Sequence, residues 1–232
     1  MLAIILLSIL LPILCMAQTK NCNETLYVLE YLNDFGYLNV QENEIKHVDT
    51  ANLSNALLLF QEYYGLDTTG QINNDTLKLV NTPRCGVKDN VFSFNTINYK
   101  WNKKLVKWHY ALVNKEILDI TQAAFNVWST HADIRFEHDS INPDIIISNK
   151  RQVHKFQRSS NNCMYKFDGL GGILGHAYFP DQTNSPIEIH IDSDEKWYLE
   201  INNQTPKNMT NLFSTLIHEI GHSLGLAHSN DP

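Results

Sequence analysis

The segment HEIGHSLGLAH, from His218 to His228, decides how the rest of this 232-residue sequence is interpreted. Residues four apart on an α-helix lie on one face, so His218 and His222 point the same way and can share a metal ion. Glu219 projects beside the pair, where a carboxylate can hold a metal-bound water and accept its proton. The spacing therefore predicts a helical metal site with a reactive carboxylate next to it.

Two glycines and a third histidine extend this predicted site. Gly221 leaves room on the helix surface, and Gly225 is the type of residue that ends a helix by adopting a positive φ. The chain can then turn and bring His228 back as a third nitrogen ligand. Three histidines with an open fourth position are typical of a catalytic zinc site, because structural zinc sites have four protein ligands.

The first 17 residues, MLAIILLSILLPILCMA, are almost wholly apolar and end on a small residue. A run this short at the start of a chain is typical of a cleaved secretory signal, so residues 1–17 are predicted to be a signal peptide. We therefore expect a secreted, extracellular protein with no membrane span after signal removal. Secretion makes the Asn-x-Ser/Thr triplets candidate glycan sites. They begin at Asn23, Asn52, Asn74, Asn203 and Asn208.

Charge and cysteine content narrow the function further. The formal net charge is −7 and no basic cluster contradicts it, which argues against nucleic-acid binding. Cys15 leaves with the signal, so the mature chain keeps Cys22, Cys85 and Cys163. An odd number of cysteines in an oxidising compartment requires at least one thiol with a role other than disulfide pairing.

Hydrophobic periodicity divides the chain into two parts. Residues 24–81 combine helical periods with turn signals, which predicts a small three-helix domain whose third helix begins at Asn74. From Trp101 onward, Asn114 is a good N-cap for one long helix, and a last helix is predicted from about Met209 to Ser223. Strands are predicted at 104–111, 134–137, 144–148, 176–179 and 187–191. This mixture indicates an α+β or α/β fold.

Over residues 24–232 the sequence resembles the matrixins, or matrix metalloproteinases. The resemblance is carried by PRCGVKD (83–89), FDGLGGILGHAYFP with HIDSDEKW (167–180 and 190–197), and HEIGHSLGLAHS (218–229). It implies an α+β protein with a three-helix, peptidoglycan-binding-like propeptide (18–98) and a zincin-like catalytic domain (99–232) on a twisted, mostly parallel five-stranded sheet. It also implies a zinc endopeptidase made as a latent zymogen.

The resemblance assigns roles around the catalytic zinc. A matrixin zymogen uses a cysteine thiolate to fill the fourth zinc position and exclude water, and that inhibitory role carries over to Cys85. Arg84 and Asp89 match the charged pair that braces the cysteine loop. Glu219 matches the general base, and the zinc ligands would be His218, His222 and His228.

The middle segment resembles the family's structural zinc region, where His176 and His190 match two ligands. The family's other two ligands form a His-x-Asp, which is replaced here by residues 161–163, Asn-Asn-Cys. Asparagine is a poor zinc ligand and a thiolate a good one, which predicts a modified site of Cys163, His176 and His190. The fourth ligand is open between Asn161, water and His154. A Cys22–Cys163 disulfide is the alternative that would contradict this site.

The resemblance also implies Ca²⁺, which prefers oxygen ligands. Asp168, Asp192 and Glu195 match the family's carboxylate ligands, and the backbone oxygens of Gly169, Gly171 and Ile173 would complete the shell. A second calcium site would use Asp144 and Glu188, although Asn184 and Pro186 replace the family's glycines there.

The implied partners are extracellular proteins. The strand around 175–179 resembles the one to which the family's peptide substrates pair through main-chain hydrogen bonds. No Arg-x-Lys/Arg-Arg run lies between Cys85 and Trp101, so we expect activation by cleavage around 92–100, by another protease or by the protein itself. Tissue-inhibitor-type proteins are implied by the resemblance alone.

The sequence stops at Pro232, before the family's Met-turn, specificity-pocket wall and last helix. We therefore expect an incomplete sequence of a protease that acts on the extracellular matrix or other extracellular proteins. The alternative is a truncated, non-catalytic, secreted zinc-binding protein that serves as a decoy or inhibitor carrier. The presence of Glu219 and Cys85 favours the enzyme, since a blocking thiol is pointless without an activity to block.

Overall fold

The structure is a computed structural model that describes residues 23–89, 100–157, 159–181 and 185–229. The chain divides between Asn81 and Thr82 into two compact units. The predicted signal peptide, Cys22 and the predicted boundary at residues 98/99 lie outside the described residues. None of the helices in the described ranges has both the length and the apolar character that crossing a bilayer demands.

The first unit is helical in its described part. Helix α1 covers residues 23–34, α2 covers Thr50–Tyr63 and α3 covers Asn74–Val80, and a 3-10 helix lies at Glu42–His47. The side chains of Asp49 and Asn73 cap α2 and α3 by accepting the backbone N–H three residues later, at 2.8 and 2.9 Å. Phe60 is fully buried at the centre of an aromatic core. The three-helix prediction is confirmed, with the 3-10 helix as an addition.

The second unit is built on a six-stranded sheet in the order β1-β5-β6-β4-β2-β3. Its strands are β1 Arg84–Cys85, β2 Leu105–Tyr110, β3 Arg135–His138, β4 Ile145–Lys150, β5 Ile173–Ala177 and β6 Ile187–Asp192. Strands β5 and β6 are antiparallel and the other neighbouring pairs are parallel. The predicted mostly parallel sheet is confirmed. It has six strands rather than five because the PRCGVKD segment adds β1 to the edge of β5.

Two helices pack on this sheet, α4 at Lys115–His131 and α5 at Leu212–Ser223. Asn114 caps α4 as predicted, since its side chain accepts the N–H of Ile117 at 3.0 Å. The helices are joined by Trp128, whose Nε1–H donates to the Ile217 carbonyl at 2.9 Å. The core between helices and sheet consists of large apolar side chains, among them Trp108, Phe125, Ile147, Ile189 and Leu216.

Helix α5 begins three residues later than predicted. Thr210–Asn211 forms the short strand β8, which pairs with β7 at Trp197–Tyr198. The side chain of Asn211 then accepts the N–H of Ser214 at 2.9 Å and starts the helix. This cap fixes where the helix carrying the histidine motif enters the second unit.

Candidate functional site

The end of α5 returns the chain toward the helix through a Schellman motif. Gly225 has a φ of +103°, its N–H donates to the His222 carbonyl at 2.9 Å, and the N–H of Leu226 donates to the Gly221 carbonyl at 3.1 Å. Gly225 therefore ends the helix as predicted, and the reversal brings His228 opposite His218 and His222.

The three histidines converge through their Nε2 atoms. The distances His218–His222, His218–His228 and His222–His228 between Nε2 atoms are each 3.1 Å. His222 Nδ1 lies 2.6 Å from the Leu226 carbonyl and His228 Nδ1 lies 2.9 Å from Asp89 Oδ1, so both Nδ1 atoms are donors. Their Nε2 atoms then carry lone pairs, and these lone pairs face each other. A cation bound at this point satisfies them, which is the arrangement of a histidine metal site.

Burial keeps these imidazoles in the form that binds metals. Burial and the neighbouring His228 lower the pKa of His218 to about 4 and that of His222 to about 3. Neutral imidazole is the ligand form, so both side chains are ready to coordinate a cation at neutral pH.

Gly221 on α5 faces the Trp128 ring of α4. A Cβ atom at this position would lie 2.9 Å from Cζ2 of the Trp128 ring. The room that the sequence predicted at Gly221 is therefore filled by the Trp128 ring. Only a hydrogen atom fits at this position without movement of the indole.

Cys85 joins the three histidines as a fourth donor. Its sulfur and the three histidine nitrogens lie within 4.8 Å of one another, and the residue is buried. Strand β1 holds it there, because the N–H of Arg84 donates to the Gly172 carbonyl at 3.0 Å and the N–H of Gly86 to the Gly175 carbonyl at 2.8 Å. Burial, followed by the nearby Glu219 carboxylate, raises the pKa of the Cys85 thiol.

Arg84 and Asp89 form a two-pronged ion pair across the loop that carries Cys85. Arg84 Nη1 lies 3.0 Å from Asp89 Oδ2 and Nη2 lies 2.7 Å from Oδ1. The Asp89 side chain is 1% exposed. The same carboxylate also accepts a hydrogen bond from His228 Nδ1–H, which the sequence analysis did not predict. No local pattern signals this contact, since the two residues are 139 positions apart.

Glu219 is a buried carboxylate next to the histidines and Cys85. It is 1% exposed, and its carboxylate interacts with the Cys85 thiol. Burial raises its pKa to about 8. Gly175 makes space for it, because a Cβ atom there would lie 3.3 Å from Glu219 Oε1. A carboxylate in this position is suited to accept a proton from a bound water.

A second cluster brings together His154, Cys163, His176 and His190. All four are buried, and their donor atoms lie within 4.8 Å of one another. Cys163 has a free thiol, whereas Cys22, its alternative disulfide partner, lies outside the described residues. Asn161 is exposed, unlike these four residues.

The two carboxylates of the predicted second calcium site have other partners. Asp144 pairs with Lys103 and accepts the N–H of Lys107 at 2.8 Å. Glu188 accepts the N–H of Gln157 and lies 2.7 Å from His190 Nε2. This last contact could have been anticipated, because residues 188 and 190 are two apart on one strand and share a face of the sheet.

The first predicted calcium site is an acidic cluster around the turn that precedes β5. Asp192 is fully buried, its Oδ2 has no hydrogen-bond partner in the described ranges, and its pKa is raised by burial and by the nearby acidic side chains. Glu195 accepts the N–H of Gly171, and Asp168 accepts the N–H of Ile173 at 2.8 Å. The positive φ of Gly169 and Gly171 shapes this turn. These oxygens are of the kind that Ca²⁺ prefers.

Comparison with known proteins identifies both units. The profile of the Matrixin family matches residues 93–232, and that of a putative peptidoglycan binding domain matches residues 27–80. Matrix metalloproteinase-16 of Mus musculus is 31% identical over 245 residues, which cover 97% of this chain and 39% of the relative. Macrophage metalloelastase of Oryctolagus cuniculus is 31% identical over 220 residues, 90% of this chain and 44% of the relative.

A third relative extends the comparison to insects. Matrix metalloproteinase-2 of Drosophila melanogaster is 31% identical over 244 residues, 93% of this chain and 30% of the relative. The chain therefore spans less than half the length of the curated relatives it matches. The matrixin profile covers more than half of the chain, and strands β2–β6 and the three histidines of α5 and its end lie within it. This chain belongs to the matrixin family.

Proposed function

We propose that this protein is a secreted zinc endopeptidase, made as a latent zymogen, that cleaves proteins of the extracellular matrix or other extracellular proteins. The observation that carries the proposal is the position of Glu219. A carboxylate that is 1% exposed and interacts with the Cys85 thiol follows directly in the chain on one of three imidazoles whose lone pairs converge. This is where a general base for a metal-bound water is needed.

His218, His222 and His228 would hold the zinc, and the donor set fits this ion because all three rings offer a neutral nitrogen. Zinc bound there would supply a Lewis acid to polarise the scissile carbonyl and activate a water. Glu219 would accept the proton of that water and pass it to the leaving nitrogen. Burial helps Glu219 in the first transfer, because a raised pKa makes the carboxylate a stronger base.

Latency follows from the position of β1. Cys85 would occupy the fourth zinc position as a thiolate, which the metal keeps deprotonated despite the raised pKa of the buried thiol. Its strand also occupies the edge of β5, where a peptide substrate would add by main-chain hydrogen bonds. Removal of the segment around Cys85 would therefore free both the metal position and the strand edge.

Two further ions belong to the proposal. A structural zinc would be bound by Cys163, His176 and His190. A calcium ion would be bound by Asp168, Asp192 and Glu195 with the carbonyls of residues 169, 171 and 173. The orphaned oxygen of Asp192 supports the calcium site. A second calcium ion at Asp144 and Glu188 stays a prediction; both carboxylates also have protein partners.

Location and partners follow from the sequence and the family. The apolar start of the chain supports secretion. The relatives are named matrix metalloproteinases and a metalloelastase, which supports substrates in the extracellular matrix. An activating protease that cuts around 92–100 and tissue-inhibitor-type proteins are the further partners proposed.

The test uses the purified chain treated with a thiol-reactive mercurial. Cleavage of a quenched peptide is followed with and without a zinc chelator. We expect cleavage only after treatment and only without chelator. Glu219→Gln, which keeps the shape of the side chain, is expected to lower the rate by at least about 100-fold. Its zinc content should equal that of the unaltered chain.

The outcomes separate the two functions. Undiminished cleavage by Glu219→Gln would refute the role of the carboxylate. No cleavage by the unaltered chain, with zinc still bound after mercurial treatment, would favour the non-catalytic zinc-binding protein. Cleavage without mercurial treatment, at the same rate as with it, would refute the latency assigned to Cys85.

A further inference from the structure

The second cluster contains two nitrogen atoms that face each other without a proton to share. His154 Nδ1 donates to the Gln152 carbonyl at 2.7 Å, which leaves Nε2 as a lone pair. His190 Nε2 donates to Glu188 Oε2 at 2.7 Å, which leaves Nδ1 as a lone pair. These two lone-pair atoms lie 3.0 Å apart. Two acceptors at this distance repel each other unless a cation lies between them.

Two more donor atoms converge on the same point. His176 Nε2 lies 3.0 Å from His190 Nδ1 and 3.2 Å from the sulfur of Cys163. A shared proton links only two atoms, whereas four atoms meet here. Tetrahedral zinc, with bonds of about 2.0–2.1 Å to nitrogen and 2.3 Å to sulfur, satisfies four donors at once. The donor set therefore fits a four-coordinate metal better than any protonation state of the rings.

The structure also favours one of the remaining candidates for the fourth ligand. Asn161 occupies the position that matches a family histidine, but its side chain is exposed, whereas the four donors of the cluster are buried. His154 lies inside the cluster, and its carbonyl accepts the N–H of Cys163 at 2.8 Å. This hydrogen bond links His154 and Cys163, the two residues that take the place of the family's ligands, within the connection between β4 and β5.

We propose that His154 is the fourth ligand of a closed zinc centre formed with Cys163, His176 and His190. This inference rests on the zinc binding in the proposed function and does not depend on its peptidase activity. An imidazole supplied from seven residues before Asn161 replaces the family's histidine, and a thiolate replaces its aspartate. Four protein ligands leave no open position, so the centre is structural, and the thiolate favours zinc over calcium or magnesium.

The surroundings of the four ligands support a fixed centre. Glu188 and the Gln152 carbonyl orient two of the rings through their second nitrogens, as outer partners do in metal sites. The hydroxyl of Tyr178 lies 2.9 Å from the Cys163 sulfur, where it donates to a thiolate. The metal fastens the connection of residues 151–167 to β5 and β6.

The first experiment leaves the proposed centre unaltered. The full chain carries Cys85→Ser and His222→Ala, so that the other cluster loses its thiol and one imidazole. X-ray absorption at the zinc edge is then expected to show one sulfur and three nitrogens around the metal that remains. A shell without sulfur, or purified chain without zinc, would overturn the centre.

The second experiment compares His154→Ala with Asn161→Ala in that same background. Loss of an inner ligand is expected to lower zinc affinity by more than about 100-fold, beyond the loss typical of an outer partner. Asn161→Ala should leave affinity unchanged. Affinity is measured by competition with a chromophoric chelator. Equal affinities in the two variants would show that His154 is not a ligand.

The design keeps this proposal separate from the proposed function. Both experiments read metal binding in a chain whose catalytic cluster is disabled, so peptidase activity does not enter. An active protease without sulfur at its second zinc would refute this centre alone. A Cys–His centre in a chain that never cleaves peptide would refute the proposed function alone. If His154→Ala does not fold, the absorption experiment still decides the ligand set.

Discussion

Asp89 Oδ1 lies 2.9 Å from Nδ1 of His228, and the same carboxylate is held by Arg84 at 2.7 Å. One buried anion therefore joins the loop of Cys85 to a histidine of the metal cluster. It sets the tautomer of His228, whose Nε2 then faces the other two rings. The brace of the loop and the orientation of the metal ligand are thus the same interaction.

Replacement of Asp89 by asparagine should weaken latency. The amide keeps the shape of the side chain but loses the charge that Arg84 and His228 share. Hydrogen bonds to a charged group contribute about 1.5–3 kcal/mol, so labelling of the Cys85 thiol by a chromogenic disulfide should accelerate roughly 10- to 100-fold. The matched control is Asp133→Asn, since Asp133 pairs with Lys104 on the surface. Equal labelling rates in both variants would contradict the role of Asp89.

Gly225→Ala should disturb the metal cluster through the backbone. A φ of +103° is unfavourable for alanine and typically costs about 1–3 kcal/mol. The helix end then relaxes, and His228 moves from the other two rings. We expect lower zinc affinity in chelator competition, with Gly65→Ala as control because Gly65 has a positive φ in the first unit. If both variants bind zinc as the unaltered chain does, the helix end does not position His228.

Gly221→Ala tests the contact between α5 and α4. Alanine gains about 1 kcal/mol of helix propensity over glycine, whereas overpacking of a core typically costs about 1–3 kcal/mol. A Cβ atom 2.9 Å from a rigid indole makes the second effect larger, so we expect net destabilisation. All four tryptophans lie in the second unit, so their fluorescence during urea unfolding measures its stability. Ser214→Ala, on the exposed face of α5, should be neutral or stabilising. A stabilised Gly221→Ala would show that Trp128 moves freely.

The sequence predicted most of the fold because its local signals were strong. Asn114 predicted the start of α4 because it is a good N-cap, and short runs rich in apolar residues predicted the central strands. Strand β1 could not be predicted, because Arg84–Cys85 is two residues long and is extended only through its pairing with β5. The start of α5 was missed because Asn211 competes with an apolar pattern that begins earlier.

The candidate site divides in the same way. The spacing of His218, His222 and Gly225 fixes local geometry, so the sequence was sufficient for these residues. Contacts between distant segments are different, because no local pattern records which polar groups meet. The contact of His228 with Asp89 and the entry of His154 into the second cluster depend on tertiary packing alone.

The last prediction concerns the stability of the metal-free protein at low pH. Burial lowers the pKa of His222 from 6.5 to about 3, so below pH 6.5 the unfolded chain binds a proton that the folded chain does not. Stability rises with pH wherever the unfolded state binds more protons, so the free energy of unfolding should fall as pH drops from 6.5 toward 3. Urea unfolding of chelator-treated protein at several pH values, followed by tryptophan fluorescence, measures this slope.

Comparison with His222→Gln isolates the contribution of this side chain. Glutamine does not titrate, so the variant should lose stability less steeply with falling pH than the unaltered chain, although it starts from a different value. The exposed His131 supplies the matched control variant, His131→Gln. Parallel slopes in His222→Gln and the unaltered chain would mean that His222 takes up protons as readily in the folded state as in the unfolded state. The ring would then not be held in the neutral form that the metal requires.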